Sequence, residues 1–122
     1  MQRPEFRKLV LAVVADLPPQ FRDRLENIDI VIRWRPSLAE RRMAGIRPGG
    51  YLFGLYLGVP LTRRGDHYNM AVPDKIVIYQ EAHEQLFSSR EELVEQVRRT
   101  VLHEIGHYLG IDERRLRELG MH

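Results

Sequence analysis

One segment near the carboxyl terminus restricts the fold of this chain more than any other. In RRTVLHEIGHYLGIDERRLRELG, residues 98 to 120, apolar side chains recur every three or four residues, which indicates an amphipathic helix. The sequence SSREE at residues 88 to 92 supplies capping-box chemistry at the start of this helix. Gly110 can adopt the left-handed conformation that ends a helix. The pattern therefore predicts a long helix that runs to about Leu109.

The predicted helix has an apolar face and a second face that carries two histidines. The apolar residues, which we expect to pack on a sheet, fall on one side: Val94, Val97, Val101, Ile105 and Tyr108. His103 and His107 project from nearly the opposite side, together with Gln96, Arg99 and Thr100. We therefore expect both histidines to lie outside the core.

His103, Glu104 and His107 form the pattern H-E-x-x-H, which is typical of a metal site that hydrolyses a substrate. Residues four apart on a helix have their Cβ atoms about 6 Å apart, so two imidazoles can bind one ion. Glu104 lies further around the helix, where its carboxylate can reach a water on the ion. The spacing predicts two metal ligands, His103 and His107, and one general base, Glu104.

A catalytic zinc site usually needs a third protein ligand. The extended pattern H-E-x-x-H-x-x-G-x-x-E places Glu113 where metzincin-type sites have a third histidine, so Glu113 is the predicted third ligand. Asp112 is the alternative ligand, although it also suits the cap of a last short helix that ends at Gly120. An acid at position 113 would also suit the first turn of that helix.

The other three histidines, His67, His83 and His122, lie outside any ligand spacing, and we expect them on the surface. His67 and Tyr68 are secondary candidates for the site, because their loop follows a predicted edge strand. Tyr56, Tyr68, Tyr108 and His67 are all candidates for the donor that stabilises the oxyanion.

The rest of the chain predicts a mixture of helices and strands. A helix is expected from about residue 4 to 17, and a short helical piece at residues 19 to 27. In NIDIVIRW, residues 27 to 34, alternation predicts a half-buried strand that has Ile28, Ile30, Ile32 and Trp34 on one face. Residues 36 to 50 are predicted to be a loop with room for a short helix.

Two further strands are predicted, at residues 51 to 61 and 75 to 80. The first contains Gly54, Gly58 and Pro60, so we expect it at the edge of a sheet. An extended peptide could add to this edge by backbone hydrogen bonds, which makes Gly54, Tyr56 and Gly58 the predicted substrate-binding residues. A bulged edge without a ligand is the equal alternative for these glycines.

Composition restricts the type of protein and of site. The chain has 122 residues, 43% of them hydrophobic and 30% charged, so we expect a single domain over residues 1 to 122. Cysteine is absent, which excludes disulfides, thiol nucleophiles and thiolate ligands. The apolar run after Lys8 has helical spacing and is flanked by Glu5 and Asp16, so we expect a soluble, cytoplasmic protein rather than a secreted or membrane protein.

Three segments give the chain a resemblance to a known family: GLYLGVPLTRR, VPDKIVIYQ and, most specifically, RRTVLHEIGHYLGIDERRLRELG. It resembles small bacterial zincin-like metallopeptidases, which are minimal versions of the zincin fold. The resemblance covers nearly the whole chain. It implies an α+β fold, in which a small mixed sheet with an edge strand lies over the active-site helix, with an N-terminal helix and a short C-terminal helix.

The resemblance also implies a function and its cofactor. It implies Zn²⁺ held by His103, His107 and an acid near Glu113, with Glu104 as the general base. The expected reaction is peptide-bond hydrolysis by a metal-bound water, and the expected partner is a peptide or protein substrate. The chain departs from the metzincin pattern because it has no third histidine, and a carboxylate ligand should leave the water less acidic.

Two other functions remain open. A metal-dependent endoribonuclease of the ribosome-maturation type has a similar H-x-x-x-H helix, and the seven arginines between Arg33 and Arg64 would suit phosphate contacts. That family needs histidine where Glu113 stands and has no glutamate after the first histidine, so nucleic acid is not the expected partner. The third possibility is a non-catalytic metal-binding module.

Overall fold

The computed structural model describes residues 1–59 and 74–120, and over these residues it has the predicted α+β fold. The elements in chain order are α1 (Arg3–Ala15), α2 (Pro19–Arg22), β1 (Asp29–Arg33), α3 (Leu38–Met43), β2 (Gly54–Leu57), β3 (Lys75–Tyr79), α4 (Gln80–Leu86), α5 (Arg90–Tyr108) and α6 (Glu113–Glu118). A 3-10 turn at Asp23–Leu25 follows α2. None of the helices in the described part of the chain is long and apolar enough to cross a membrane.

The three strands form a mixed sheet in the order β1-β3-β2. β3 is parallel to β1 and antiparallel to β2. The four residues from Ile76 to Tyr79 are fully buried, as expected for a central strand with an uninterrupted apolar run. Among the strands of the described residues, β2 lies at an edge, as predicted. It is shorter than the predicted segment, whose last two residues lie outside the described ones.

The predicted alternation in β1 is correct up to the end of the strand. Ile28 and Ile32 are buried, and Ile30 is half-buried. Trp34, which was predicted to share their face, is instead 40% exposed. The prediction is wrong because β1 ends at Arg33, after which the Trp34 carbonyl accepts a hydrogen bond from the Glu81 amide at the start of α4.

Two short helices extend the predicted pattern. α3 begins at a capping box, in which Ser37 and Glu40 bond each other's backbone amides. α4 follows β3 directly and was not predicted. Its N-cap, Tyr79, makes no side-chain capping bond, so the sequence lacks the start signal by which helices are usually recognised.

α5 packs against α1, β2, β3 and α4. Val97, Val101 and Ile105 are fully buried, as the predicted apolar face requires. Thr100, predicted to lie with the histidines on the open face, is instead buried, and so is Glu104. β2 covers this side of the helix, so only part of the polar face is open.

His83, expected on the surface, is fully buried, and that expectation is wrong. Its Nδ1 donates to the Tyr79 carbonyl over 2.8 Å, and its Nε2 lies 3.0 Å from the Thr100 hydroxyl. The ring packs against Phe6 and Phe53. Burial lowers the pKa of His83 to about 4, even though the bond to the Tyr79 carbonyl favours the protonated form. His83 is therefore a neutral core residue.

Candidate metal centre

His103 and His107 lie on the last turns of α5, with their ring centroids 4.5 Å apart. Both side chains are partly exposed, at 27% and 35%. The helix therefore presents the two imidazoles together at the edge of the core, as the four-residue spacing predicted.

Glu113 meets both histidines at one oxygen. Its Oε1 lies 2.8 Å from Nε2 of His107 and 3.2 Å from Nε2 of His103. The chain reverses at Gly110, whose φ of 77° is the left-handed conformation expected after a helix. Three potential ligand atoms, two imidazole nitrogens and one carboxylate oxygen, thus converge between α5 and α6.

α6 is held in place by a cap and by one buried side chain. The Asp112 carboxylate accepts a hydrogen bond from the Arg115 amide at 2.8 Å, so Asp112 is the N-cap of α6. Leu116 is fully buried and lies against Gly106, where a β-carbon would collide with the leucine Cδ2. The glycine inside the H-E-x-x-H pattern therefore provides the space that lets α6 approach α5.

Glu104 is buried and makes two contacts through one oxygen. Its Oε1 accepts a hydrogen bond from the Tyr56 amide of β2 at 2.9 Å and lies 3.2 Å from Nδ1 of His107. A proton on Nδ1 that is donated to Glu104 leaves the Nε2 lone pair of His107 directed at the convergence point. The contact with Tyr56 was not predicted, because it joins residues 48 apart in sequence.

Two sets of residues could provide three ligands. The candidate ligand atoms of His103, Glu104 and His107 lie within 4.8 Å of one another. Glu113, however, contacts the Nε2 atoms of both histidines, whereas Glu104 contacts only Nδ1 of His107. Because Glu104 is also bound to the β2 amide, the set with Glu113 fits a metal better.

The donor set fits zinc in chemistry and in size. Imidazole nitrogen and carboxylate oxygen are usual zinc ligands, with bonds of about 2.0–2.2 Å. A tetrahedron of such bonds separates its ligand atoms by about 3.3 Å. The nitrogen-to-oxygen distances of 2.8 and 3.2 Å are close to this separation.

The carboxylates make the centre attractive to positive charge. The hydrogen bond to Glu104 raises the pKa of His107 to about 9; burial opposes this, and the charges of Glu104 and Glu113 add to it. Partial burial would raise the pKa of Glu113, but the His107 bond and the His103 charge outweigh it, so the pKa is lowered. A divalent cation would be stabilised by the same carboxylates.

Two of the predicted substrate-binding residues, Gly54 and Tyr56, lie against Glu104, and Gly58 lies against Asp74 instead. Gly54 is buried, and a β-carbon there would lie 2.7 Å from the Thr100 methyl group and 3.1 Å from the Val77 carbonyl. A β-carbon at Gly58 would collide with the Asp74 carboxylate, to which the Tyr56 hydroxyl donates at 2.7 Å. Both glycines thus allow close internal packing, which is a sufficient reason for them without a substrate.

A cavity of about 310 Å³ opens beside His103, between the segment that leads into β2 and the middle of α5. Its lining residues are Tyr51, Leu52, Phe53, Gly54, Gln96, Arg99, Thr100, His103 and Glu104. The secondary candidates His67 and Tyr68 lie outside the described residues, and so does His122, which was predicted to lie on the surface. Tyr56 and Tyr108 stack edge-on near the centre, with ring centroids 5.7 Å apart.

Comparison with known proteins agrees with this geometry. Residues 25–121 match the family model described as zincin-like metallopeptidase. The chain belongs to this zincin-like family. A solved structure of a conserved hypothetical protein from Thermus thermophilus is similar in fold, with a TM-score of 0.59 and 21% identity over 89% of this chain and 94% of that one. No curated protein matches the sequence of this zincin-like chain.

Proposed function

We propose that this zincin-like protein is a zinc-dependent peptidase that hydrolyses peptide bonds. The observation that carries the proposal is the convergence of Glu113 on the Nε2 atoms of His103 and His107, with the Glu104 carboxylate directly beside them. This arrangement separates three candidate ligands from one candidate base, and metal-assisted hydrolysis needs that division.

His103, His107 and Glu113 would hold the zinc ion. When bound, the ion would polarise the scissile carbonyl and make water a stronger acid. Glu104 would take the proton from the attacking water and pass it to the leaving amine. We assign this transfer to Oε2, because Oε1 already accepts from the Tyr56 amide and faces His107.

The substrate would lie as an extended chain along the outer edge of β2. The Phe53 carbonyl points towards β3, where it accepts a hydrogen bond from the Tyr79 amide. Successive residues of a strand direct their backbone groups to opposite edges, so the backbone groups of Tyr56, three residues later, point away from β3. A substrate carbonyl could replace Glu104 as the acceptor of the hydrogen bond from the Tyr56 amide. Pairing at the strand would then release the base at the moment when the substrate arrives.

The test is zinc content and peptidase activity of matched variants, purified without an affinity tag. His103→Ala and Glu113→Gln should lose zinc. Glu104→Gln should keep zinc and lose about 10²–10⁴-fold of the activity, since it removes general-base catalysis alone. Glu91→Gln, an exposed change on the same helix, should alter neither.

Three results would count against the proposal. Zinc retained in full by His103→Ala would remove the ligand assignment, and activity retained by Glu104→Gln would remove the base. A wild-type protein that binds zinc but cleaves no member of a random peptide library would favour the non-catalytic module.

The nuclease alternative gains little support from the structure, because Arg33 and Arg35 already form ion pairs with Glu40 and Glu81.

A further inference from the structure

The cavity beside His103 has a fixed apolar wall. Leu52 and Phe53 are half-buried and stand on its strand side. The Phe53 ring is held edge-on against His83, with centroids 5.0 Å apart, and it also contacts Phe87. Since His83 is fully buried, this wall is anchored to the core and provides a preformed surface for an apolar group.

The opposite wall carries a positive charge. Arg99 lies on α5 one turn before His103, so the two side chains share a face of the helix. Its side chain is 60% exposed, and its Nε lies 3.4 Å from Glu95 Oε1. The cation is therefore next to the proposed metal ligand and within reach of a molecule in the cavity.

The contact with Glu95 does not commit Arg99 to an internal ion pair. Arg98 approaches the same Glu95 oxygen, at 3.9 Å, and can keep it neutralised if Arg99 turns towards a ligand. Exposed pairs of this kind are weak, at about 0.2–1 kcal/mol, so a ligand carboxylate can compete for the guanidinium. Arg98 itself faces away from the cavity, towards Leu9 and Val94.

We propose that this cavity is the subsite for the substrate side chain next to the scissile bond, and that Arg99 makes it select glutamate. The inference rests on the proposed peptidase function. The methylene groups of a glutamate would contact Leu52 and Phe53, and its carboxylate would pair with Arg99. A lysine side chain would instead be repelled by the positive charge of Arg99.

Binding of hydroxamates tests the subsite without any turnover, because a hydroxamate is anchored by zinc. Two series would carry a side chain of Glu, Gln, Leu or Lys, one on the amino side of the zinc-binding group and one on the carboxyl side. Dissociation constants would be measured by calorimetry for zinc-loaded wild type, Arg99→Glu and Arg98→Glu. The last variant is the matched control, because it makes the same charge change beside the same Glu95.

In at least one series, the wild type should bind the Glu compound about three- to fivefold more tightly than the Gln compound, and the Lys compound most weakly. Arg99→Glu should reverse the order of Glu and Lys, and Arg98→Glu should keep the wild-type order. Equal binding of all side chains, or an order unchanged by Arg99→Glu, would overturn the subsite and leave the metal centre intact. Hydroxamates that bind nowhere to zinc-loaded protein would instead overturn the proposed peptidase, and the subsite with it.

Discussion

At the scale of single residues, Glu104 connects the parts of the site. Its buried carboxylate accepts from the β2 amide and lies against His107, so one side chain links the sheet edge, the helix and the ligand set. The contact with Nδ1 also favours the imidazole tautomer whose Nε2 can bind a metal. A change at this position therefore affects proton transfer first and ligand orientation second.

His83 gives a residue-scale prediction about pH. Its pKa is about 4 in the folded protein and about 6.5 in the unfolded chain, so only the unfolded chain binds a proton between these values. The stability that the neutral His83 contributes is fully present above about pH 6.5 and is lost as the pH falls towards 4. Between pH 7 and pH 5 we expect the free energy of unfolding to fall by about 2 kcal/mol on account of His83.

Urea denaturation at the two pH values, in wild type and in His83→Gln, measures this contribution. The variant should be less stable at pH 7, because the imidazole fills its site between Phe6 and Phe53, but it should lose less stability on acidification. An equal loss in both proteins would show that His83 is not responsible.

At the scale of elements, the position of the third ligand depends on how closely α6 approaches α5. Gly106→Ala should raise the helical propensity of α5 yet push Leu116 outwards, which displaces Glu113. We expect zinc affinity to fall about tenfold or more, as for other residues that orient metal ligands. Titration with a competing chelator measures it.

The double variant Gly106→Ala/Leu116→Val is the control for this prediction. Valine lacks the terminal carbons that the new methyl group would strike, so part of the zinc affinity should return. If Gly106→Ala alone binds zinc as wild type does, the packing of Leu116 does not position Glu113.

β2 gives a second prediction at the same scale. Gly54→Ala should cost about 1–3 kcal/mol of stability, because its methyl group would strike the Thr100 methyl and the Val77 carbonyl. Thermal or urea unfolding measures the cost. Thr100→Ser removes the first collision and keeps the hydroxyl near His83, so the double variant should recover part of the loss.

Local patterns predicted most of the elements, whereas contacts between elements were predicted poorly. The α5 helix, the cap at Ser89 and the reversal at Gly110 follow from spacing within one segment, and so does the approach of Glu113 to the histidines. The burial of Thr100 and His83 depends on β2 and α4, which are distant in sequence. Periodicity carries no information about which elements lie against each other, so those environments required the structure.

At the scale of the whole molecule, zinc binding should stabilise the fold by mass action. At a free zinc concentration about 100-fold above the dissociation constant, the expected gain is about 2.7 kcal/mol, or a melting temperature higher by about 10 °C. Calorimetric scans with zinc and with chelator measure the shift. His103→Ala should show almost none, and an equal shift in that variant would mean that zinc acts elsewhere.

The reversal at Gly110 confines His103, His107 and Glu113 to eleven consecutive residues. Capture of the ion is therefore a short-range property of one helical hairpin, whereas the setting of Glu104 needs a strand from the other half of the chain. Partial unfolding of the sheet should therefore disturb the position of Glu104 without preventing zinc binding. A molecule in which β2 has detached from the sheet would still bind zinc. Zinc content alone would therefore overestimate the fraction of catalytically active protein in a preparation.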